Sequence, residues 1–222
     1  SGGYAQFIVA QGRFVHKLPD HTDLRAGALI DPLATALKAE RRLNSIGPHE
    51  GPRDLTVLGS GPMGQLITML LSLRGHRVTV FDPDQHRKSR FDIQSVVTST
   101  DPKSSVEGRE AIFDTIGDPM MLGKIMPHLA SGSKLLLVGD SHVGKKINPF
   151  ELEARDITIS IVLGSDADDY QAATALLPEL DMNPFTQSVI PLSKFQDAWS
   201  ETKEKKHLKI LLEVDGTLNG SF

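Results

Sequence analysis

The chain has 222 residues, 39% of them hydrophobic and 23% charged, with a net charge of −4 and no cysteine. That is enough apolar material for one large core or two small ones, and it excludes a disulfide framework, a cysteine nucleophile and cysteine-ligated zinc within this sequence. Acids and bases are interspersed, no apolar stretch approaches membrane-spanning length and residues 1–20 show no charged-then-apolar pattern, so neither nucleic acid nor membrane is an expected partner and the cytoplasm is the expected location.

In chain order, Tyr4-Ala-Gln-Phe-Ile-Val-Ala10 and Arg13-Phe-Val-His-Lys-Leu18 are short alternating runs with turn residues between them, which predicts two strands of a small β structure. A helix is expected over Pro32 to Leu43, ended near Gly47-Pro48. From 53 to about 165 the pattern alternates as in a parallel sheet, with strands near 55–59, 77–82, 95–98, 111–115, 134–139 and 157–163 and helices near 62–74, 84–91 and 119–130. Residues 99–110, with Pro102, Ser104, Ser105 and Gly108, hardly hold a full crossover helix, so that connection is expected to be abbreviated. A helix near 168–178, a strand near 187–190, a helix near 193–203 and a last strand from Leu208 to Val214 complete the chain. The run Lys203, Lys205, Lys206, His207 is mixed with Glu201 and Glu204 and reads as a solvated helix end.

The most informative stretch is Leu55-Thr-Val-Leu-Gly-Ser-Gly-Pro-Met-Gly64, an apolar strand running into a G-x-G-x-x-G turn. Gly59 allows a sharp turn, Gly61 lets the backbone approach a pyrophosphate, and Gly64 lets the following helix pack on the strand. That helix offers free N–H groups and a positive dipole end to an anion, and Pro62 is tolerated in its first turn. Arg77-Val-Thr-Val-Phe-Asp82 then delivers a carboxylate eighteen residues beyond Gly64. An acid there accepts hydrogen bonds from an adenosine ribose and repels a 2′-phosphate, which favours NAD over NADP. A methyltransferase, a flavin-binding domain and a turn that binds nothing share parts of this pattern and remain alternatives on these residues alone.

Beyond that fingerprint the sequence resembles the medium-chain dehydrogenase/reductase superfamily, in its zinc-dependent alcohol, polyol and threonine dehydrogenase branch. The resemblance runs through Gly2-Gly-Tyr-Ala-Gln-Phe7, Leu18-Pro-Asp20, Asp31-Pro-Leu-Ala-Thr-Ala-Leu-Lys-Ala39, Gly59 to Gly64, Phe113-Asp-Thr-Ile-Gly117, Leu137-Val-Gly139 and Ile190-Pro-Leu-Ser-Lys-Phe-Gln-Asp-Ala198. It implies an α/β fold, a doubly wound parallel (Rossmann) sheet with a remnant of a β-rich, GroES-like catalytic lobe. The implied parts are the lobe remnant over 1–30, an NAD-binding domain over 31–182 and a segment over 183–222 returning toward the catalytic lobe. Gly59, Gly61, Pro62, Met63 and Gly64 would hold the pyrophosphate, Asp82 the ribose, and Arg87 would flank the adenine. Thr115, Ile116, Val138, Gly139 and Leu163 would line the nicotinamide side, where open α/β sheets bind ligands outside their strand ends. Lys209 matches a basic position that reaches the cofactor in relatives, with a surface lysine on an edge strand as the alternative.

Asp31 matches an acid that is a ligand, or near-ligand, of the catalytic zinc in this branch, where it acts with a cysteine and a His-Glu pair from an N-terminal lobe that this sequence does not contain. A helix N-cap ahead of Pro32 is its structural alternative. His16, His21, His49, His76, His86, His128, His142 and His207 are scattered, with no pair at metal-ligand spacing, and only His142, after the fifth strand, is a functional candidate. Zinc is therefore expected only together with the missing lobe. The implied function is hydride transfer between a secondary alcohol and NAD, incomplete for catalysis in this chain alone. The alternatives are a non-catalytic NAD(H)-binding sensor, one half of a split enzyme, and a zinc-free quinone-reductase-like relative. Asp156-Ile-Thr-Ile-Ser-Ile-Val-Leu163 is strongly β-forming, and the resemblance implies a homodimer through it; cover by the helix near 168–178 is the other reading.

Overall fold

The structure is a computed structural model in which residues 3–47, 50–84, 96–140 and 149–214 are described. The expected helix over 84–91 from residue 85 onward, Arg87 and His142 lie outside the described residues. By internal contacts the chain forms two units, Thr35–Ser165 and a second assembled from Ser1–Ala34 and Asp166–Phe222.

The first unit is built on six strands, β1 (Asp54–Leu58), β2 (Arg77–Phe81), β3 (Val96–Ser99), β4 (Ala111–Asp114), β5 (Lys134–Leu137) and β6 (Thr158–Ile161), in the order β3-β2-β1-β4-β5-β6. Every pairing is parallel. This is a Rossmann sheet, and it bears out the α/β reading. Strand β1 has a ladder on both sides, and Leu55, Thr56, Val57 and Leu58 are each 0% exposed. Parallel strands covered on both faces demand such continuous apolar runs.

The helix of residues 62–73 leads from β1 to β2. It buries Leu66, Ile67, Leu70 and Leu71 at the i, i+1, i+4 and i+5 spacing of one helical face and stops at Gly75, whose φ of +80° suits a glycine. The connection after β3 holds only a five-residue helix, Pro102–Val106, capped by Asp101, which accepts from Lys103 and Ser104 N–H. The abbreviated crossover expected from Pro102 and Gly108 is thus present. A further helix, Pro119–Ile125, is capped by Asp118 and continues as a tight turn over Met126–His128. Leu58, Phe81, Val106, Ile112, Ile125, Leu129 and Leu135 form one buried cluster on this sheet, with Ile157 and Ile159 packed against it.

A long helix, Ile30–Ser45, carries the division between the units. Within the sheet unit, its Lys38 donates to the Leu163 carbonyl at 3.2 Å just past β6.

The second unit contains the short helix Leu24–Gly27, capped by Asp23, and a helix over Ala167–Leu176 with a capping box of Asp166 and Asp169. It also contains Phe195–Glu204 and two parallel strands, β7 (Ser188–Pro191) and β8 (Ile210–Glu213). Lys206 and His207 face Glu204 and Glu201 at 2.5 and 3.6 Å, in keeping with a solvated helix end.

Two expectations are corrected here. Residues 4–18 form no strand; Gly12–Phe14 is a 3-10 turn, and Tyr4, Phe7, Ile8, Val9, Phe14 and Val15 are exposed. An apolar run becomes a strand only where another strand satisfies its backbone groups, and none of the described residues does so for this segment. Asp31 is not an N-cap, because the helix already begins at Ile30 and places Asp31 in its first turn.

Candidate nucleotide-binding site

The turn from β1 into the helix over 62–73 shows why each glycine stands where it does. Gly59 has φ +97° and donates its N–H to the Phe81 carbonyl at 2.7 Å, so the turn is tied to the end of β2. A Cβ on Gly64 would sit 1.9 Å from the Gly59 carbonyl oxygen, which backbone cannot accommodate. These two glycines are requirements of the fold itself. Gly61 differs, for its φ is −70° and a Cβ there would meet nothing within 4 Å. No strain and no neighbour among the described residues calls for glycine at 61, so the space beside it fits something that approaches the backbone from outside.

That space is a cleft of about 310 Å³ lined by Gly59, Gly61, Pro62, Met63, Gly64, Asp82, Pro83, Thr115 and Ile116. It lies where the strand order changes direction, between β1 with β2 on one side and β4 on the other, at the carboxyl ends of the strands. Eight of the nominated residues converge here, and the sequence reading missed only Pro83 of the lining.

Asp82, just past β2, is 3% exposed. Its Oδ2 accepts from Ser60 N–H at 2.8 Å and from the Ser60 hydroxyl at 2.6 Å, and its Oδ1 accepts from Asp84 N–H at 2.9 Å. The Ser60 carbonyl in turn accepts from Gln65 Nε2 at 3.3 Å. Ser60 and Gln65 were not nominated from sequence, because the glycine pattern leaves both positions open.

On the other side of the cleft the Thr115 hydroxyl donates to the Leu58 carbonyl at 2.7 Å. Asp114, 1% exposed, turns its carboxylate back to accept from Ile116 and Gly117 N–H at 3.0 and 3.1 Å. Burial pushes its carboxyl above the ordinary aspartate value, against those two backbone donors and with a smaller push from Asp118. The loops after β4 and β5 then meet backbone to backbone. A Cβ on Gly139 would lie 2.4 Å from the Gly117 nitrogen, and Val138 and Gly139 N–H both donate to the Asp114 carbonyl at 2.9 and 2.8 Å. Val138, Gly139 and Leu163 follow β5 and β6 at the same carboxyl edge but do not line the cleft.

Lys209 and Asp31 belong to the second unit. Lys209 is half-buried just before β8. Asp31 accepts a short hydrogen bond from the Tyr170 hydroxyl, and the Tyr170 ring stacks on His16 with centroids 5.6 Å apart. The Tyr170 phenol is pushed up to about 12, first by that hydrogen bond, then by burial and the Asp31 charge. Among the described residues no group of three His, Cys, Asp or Glu could hold a metal ion. A catalytic zinc takes three protein ligands and an open position, so these residues do not fit one.

The strand order, the glycine turn at the start of the first crossover helix and the buried acid after β2 define a Rossmann unit. Its homologues are zinc-type medium-chain dehydrogenases. The chain is 24% identical over 96% of its length to 2-dehydro-3-deoxy-L-galactonate 5-dehydrogenase of Pseudoalteromonas atlantica, and 25% identical over 96% to human sorbitol dehydrogenase. It spans 65% and 63% of those two proteins. The fold matches that of a short chain alcohol dehydrogenase of Escherichia coli CFT073 complexed with NADH, at a TM-score of 0.80 and 16% identity, over 96% of this chain and 66% of that one. It also matches a zinc-binding dehydrogenase of Sinorhizobium meliloti 1021 bound to NADP, at 0.75 and 17%, over 90% and 62%. No family model matches the sequence.

Proposed function

We propose that the chain is the NAD(H)-binding part of an oxidoreductase that moves a hydride between a secondary alcohol and the nicotinamide. The observation that carries this reading is Gly61, a glycine with ordinary backbone angles beside open space, at a helix start and across from a buried carboxylate. NAD, when bound, supplies the hydride acceptor. Gly59 to Gly64 and the following helix start receive its pyrophosphate, and Asp82 reads the adenosine ribose. Thr115, Ile116, Val138, Gly139 and Leu163 are assigned to the nicotinamide half and Arg87 to the adenine. The NAD(H) reading over NADP(H) is supported by Asp82, whose charge a 2′-phosphate would meet; the structural neighbours include both an NADP-bound and an NADH-bound protein.

The groups that polarise an alcohol are assigned to a lobe outside these residues, and Asp31 joins a metal only if that lobe brings the other ligands. The chain by itself is then expected to bind cofactor and not to turn over. A non-catalytic NAD(H)-binding module is the second reading, favoured by the same lack of a ligand set among the described residues. NADH absorbance on addition of secondary alcohols, zinc and NAD would exclude the module; its absence is the outcome both readings expect of this chain alone.

The partners proposed are a small alcohol and a second copy of the chain, paired through the edge strand β6, whose Ile161 and the following Leu163 are 69% and 81% exposed. A monomer by light scattering at micromolar concentration would sink the dimer. The described residues contain no helix long and apolar enough to cross a membrane.

The testing experiment is calorimetric titration with NADH, NADPH and S-adenosylmethionine, repeated on Asp82→Ala. Preference for NADH that is lost in the variant supports the proposal. Preference for S-adenosylmethionine, or no binding of any of the three, refutes it.

A further inference from the structure

We propose that Ser60 is the positioning residue for the carboxylate that reads the ribose, and that its hydroxyl sets the preference for NAD(H) over NADP(H). The inference rests on the NAD(H) reading and goes beyond it. The glycine pattern demands nothing of the residue between its first two glycines, yet Ser60 is 1% exposed and both of its donors converge on one oxygen of Asp82. At 2.6 Å the hydroxyl contact falls in the range of charge-assisted O–H···O⁻ bonds, which are roughly twice as strong as neutral ones.

The serine is itself fixed. Gly59 before it is tied to the Phe81 carbonyl at 2.7 Å, and the Ser60 carbonyl receives Gln65 Nε2 at 3.3 Å from the buried face of the helix behind. The serine is therefore a fixed donor for the carboxylate. Asp84 N–H holds the other oxygen at 2.9 Å, so the carboxylate plane is set from two sides. Such a grip matters for selection between cofactors, because a carboxylate discriminates against a 2′-phosphate only while it stays where the phosphate must go. Without the hydroxyl, Asp82 loses the shortest of its contacts to Ser60 and keeps the backbone donors Ser60 N–H and Asp84 N–H, so its carboxylate is held less firmly toward the cleft. A ribose hydroxyl then meets a less well placed acceptor, and a phosphate meets a charge that opposes it less.

The two affinities accordingly move in opposite directions, a signature that general loosening of the turn does not produce. Titrations of NADH and NADPH are to be run on the wild-type chain, Ser60→Ala, Ser60→Gly, Asp82→Ala and the double variant Ser60→Ala/Asp82→Ala, with thermal melts for each. Ser60→Gly serves as a second variant that adds no atom to the turn. The expected result is that the NADH-to-NADPH affinity ratio falls about tenfold in both serine variants, through weaker NADH and tighter NADPH binding, and that Ser60→Ala changes nothing further once Asp82 is alanine. An unchanged ratio, a parallel loss of both cofactors, or an equal effect of Ser60→Ala in the Asp82→Ala background overturns the role of Ser60 and leaves the NAD(H) reading intact. A wild-type chain that prefers NADPH, or binds neither, overturns both.

Discussion

Leu55-Thr-Val-Leu58 and Phe7-Ile-Val9 are both short apolar runs rich in β-forming residues, and they reach opposite environments. The first is 0% exposed throughout, while Phe7, Ile8 and Val9 are 90%, 64% and 99% exposed. The difference is not in their residues. β1 has β2 on one side and β4 on the other, so its backbone groups are satisfied and both its faces are covered. Residues 7–9 have no ladder among the described residues. The comparison teaches that apolar alternation states only a capacity for strand formation, and that the neighbours decide whether it is used.

The contrast can be tested from its strongest consequence downward. Gly64→Ala places a Cβ against a backbone carbonyl that cannot retreat without distorting β1, so it is expected to cost about 3 kcal/mol or more, read as a lowered urea midpoint. Leu55→Ala in the paired strand should cost about 2–5 kcal/mol, whereas Val9→Ser in the exposed run should stay within about 0.5 kcal/mol. Equal costs at 55 and 9 would mean that residues 7–9 are covered in solution and that the comparison is wrong.

A third experiment uses pH on the strand next to β1. The Asp114 carboxyl is raised above its ordinary 3.8, so between that value and the raised one the folded chain keeps a proton that the unfolded chain has lost. Stability from this group is therefore highest at the acid end of the window, falls by at most about 1.4 kcal/mol per unit as pH rises through it, and is flat above. Asp114→Asn keeps an acceptor for Ile116 and Gly117 N–H and removes the charge, so subtracting its stability profile from the wild type should reveal that slope. A flat difference curve would contradict the buried-carboxylate account.

The smallest effect sharpens the glycine argument. Gly61→Ala should change stability by less than about 1 kcal/mol, since its Cβ meets nothing, yet it should weaken NADH binding by tenfold or more. Gly64→Ala and Gly61→Ala thus separate a glycine kept for the fold from one kept for a ligand.

Much of the sheet unit could be read before any coordinates. Strands 1 to 6 fall within a few residues of their expected positions, because each is a compact apolar run bounded by turn residues, and the weak link after β3 follows from Pro102 and Gly108. The cleft was legible for a similar reason, since Gly59, Gly61, Gly64 and Asp82 carry constraints that are local in sequence. What could not be read were contacts that join residues far apart along the chain. Ser60 reaches Asp82 across twenty-two positions, and Tyr170 reaches Asp31 across one hundred and thirty-nine. Neither serine nor tyrosine at those positions has a periodicity or a motif to announce it.

Sequence by itself determined the alternation of strand and helix, the glycine turn and the acid after the second strand, because each follows from the conformational limits and apolar spacing of neighbouring residues. Only the tertiary structure decided that residues 4–18 find no ladder, that Asp31 enters the first turn of its helix, and that Asp82 is clamped by Ser60. Those outcomes depend on which distant groups the fold brings within hydrogen-bonding reach, and that reach is set by the packing of the whole sheet rather than by any local pattern.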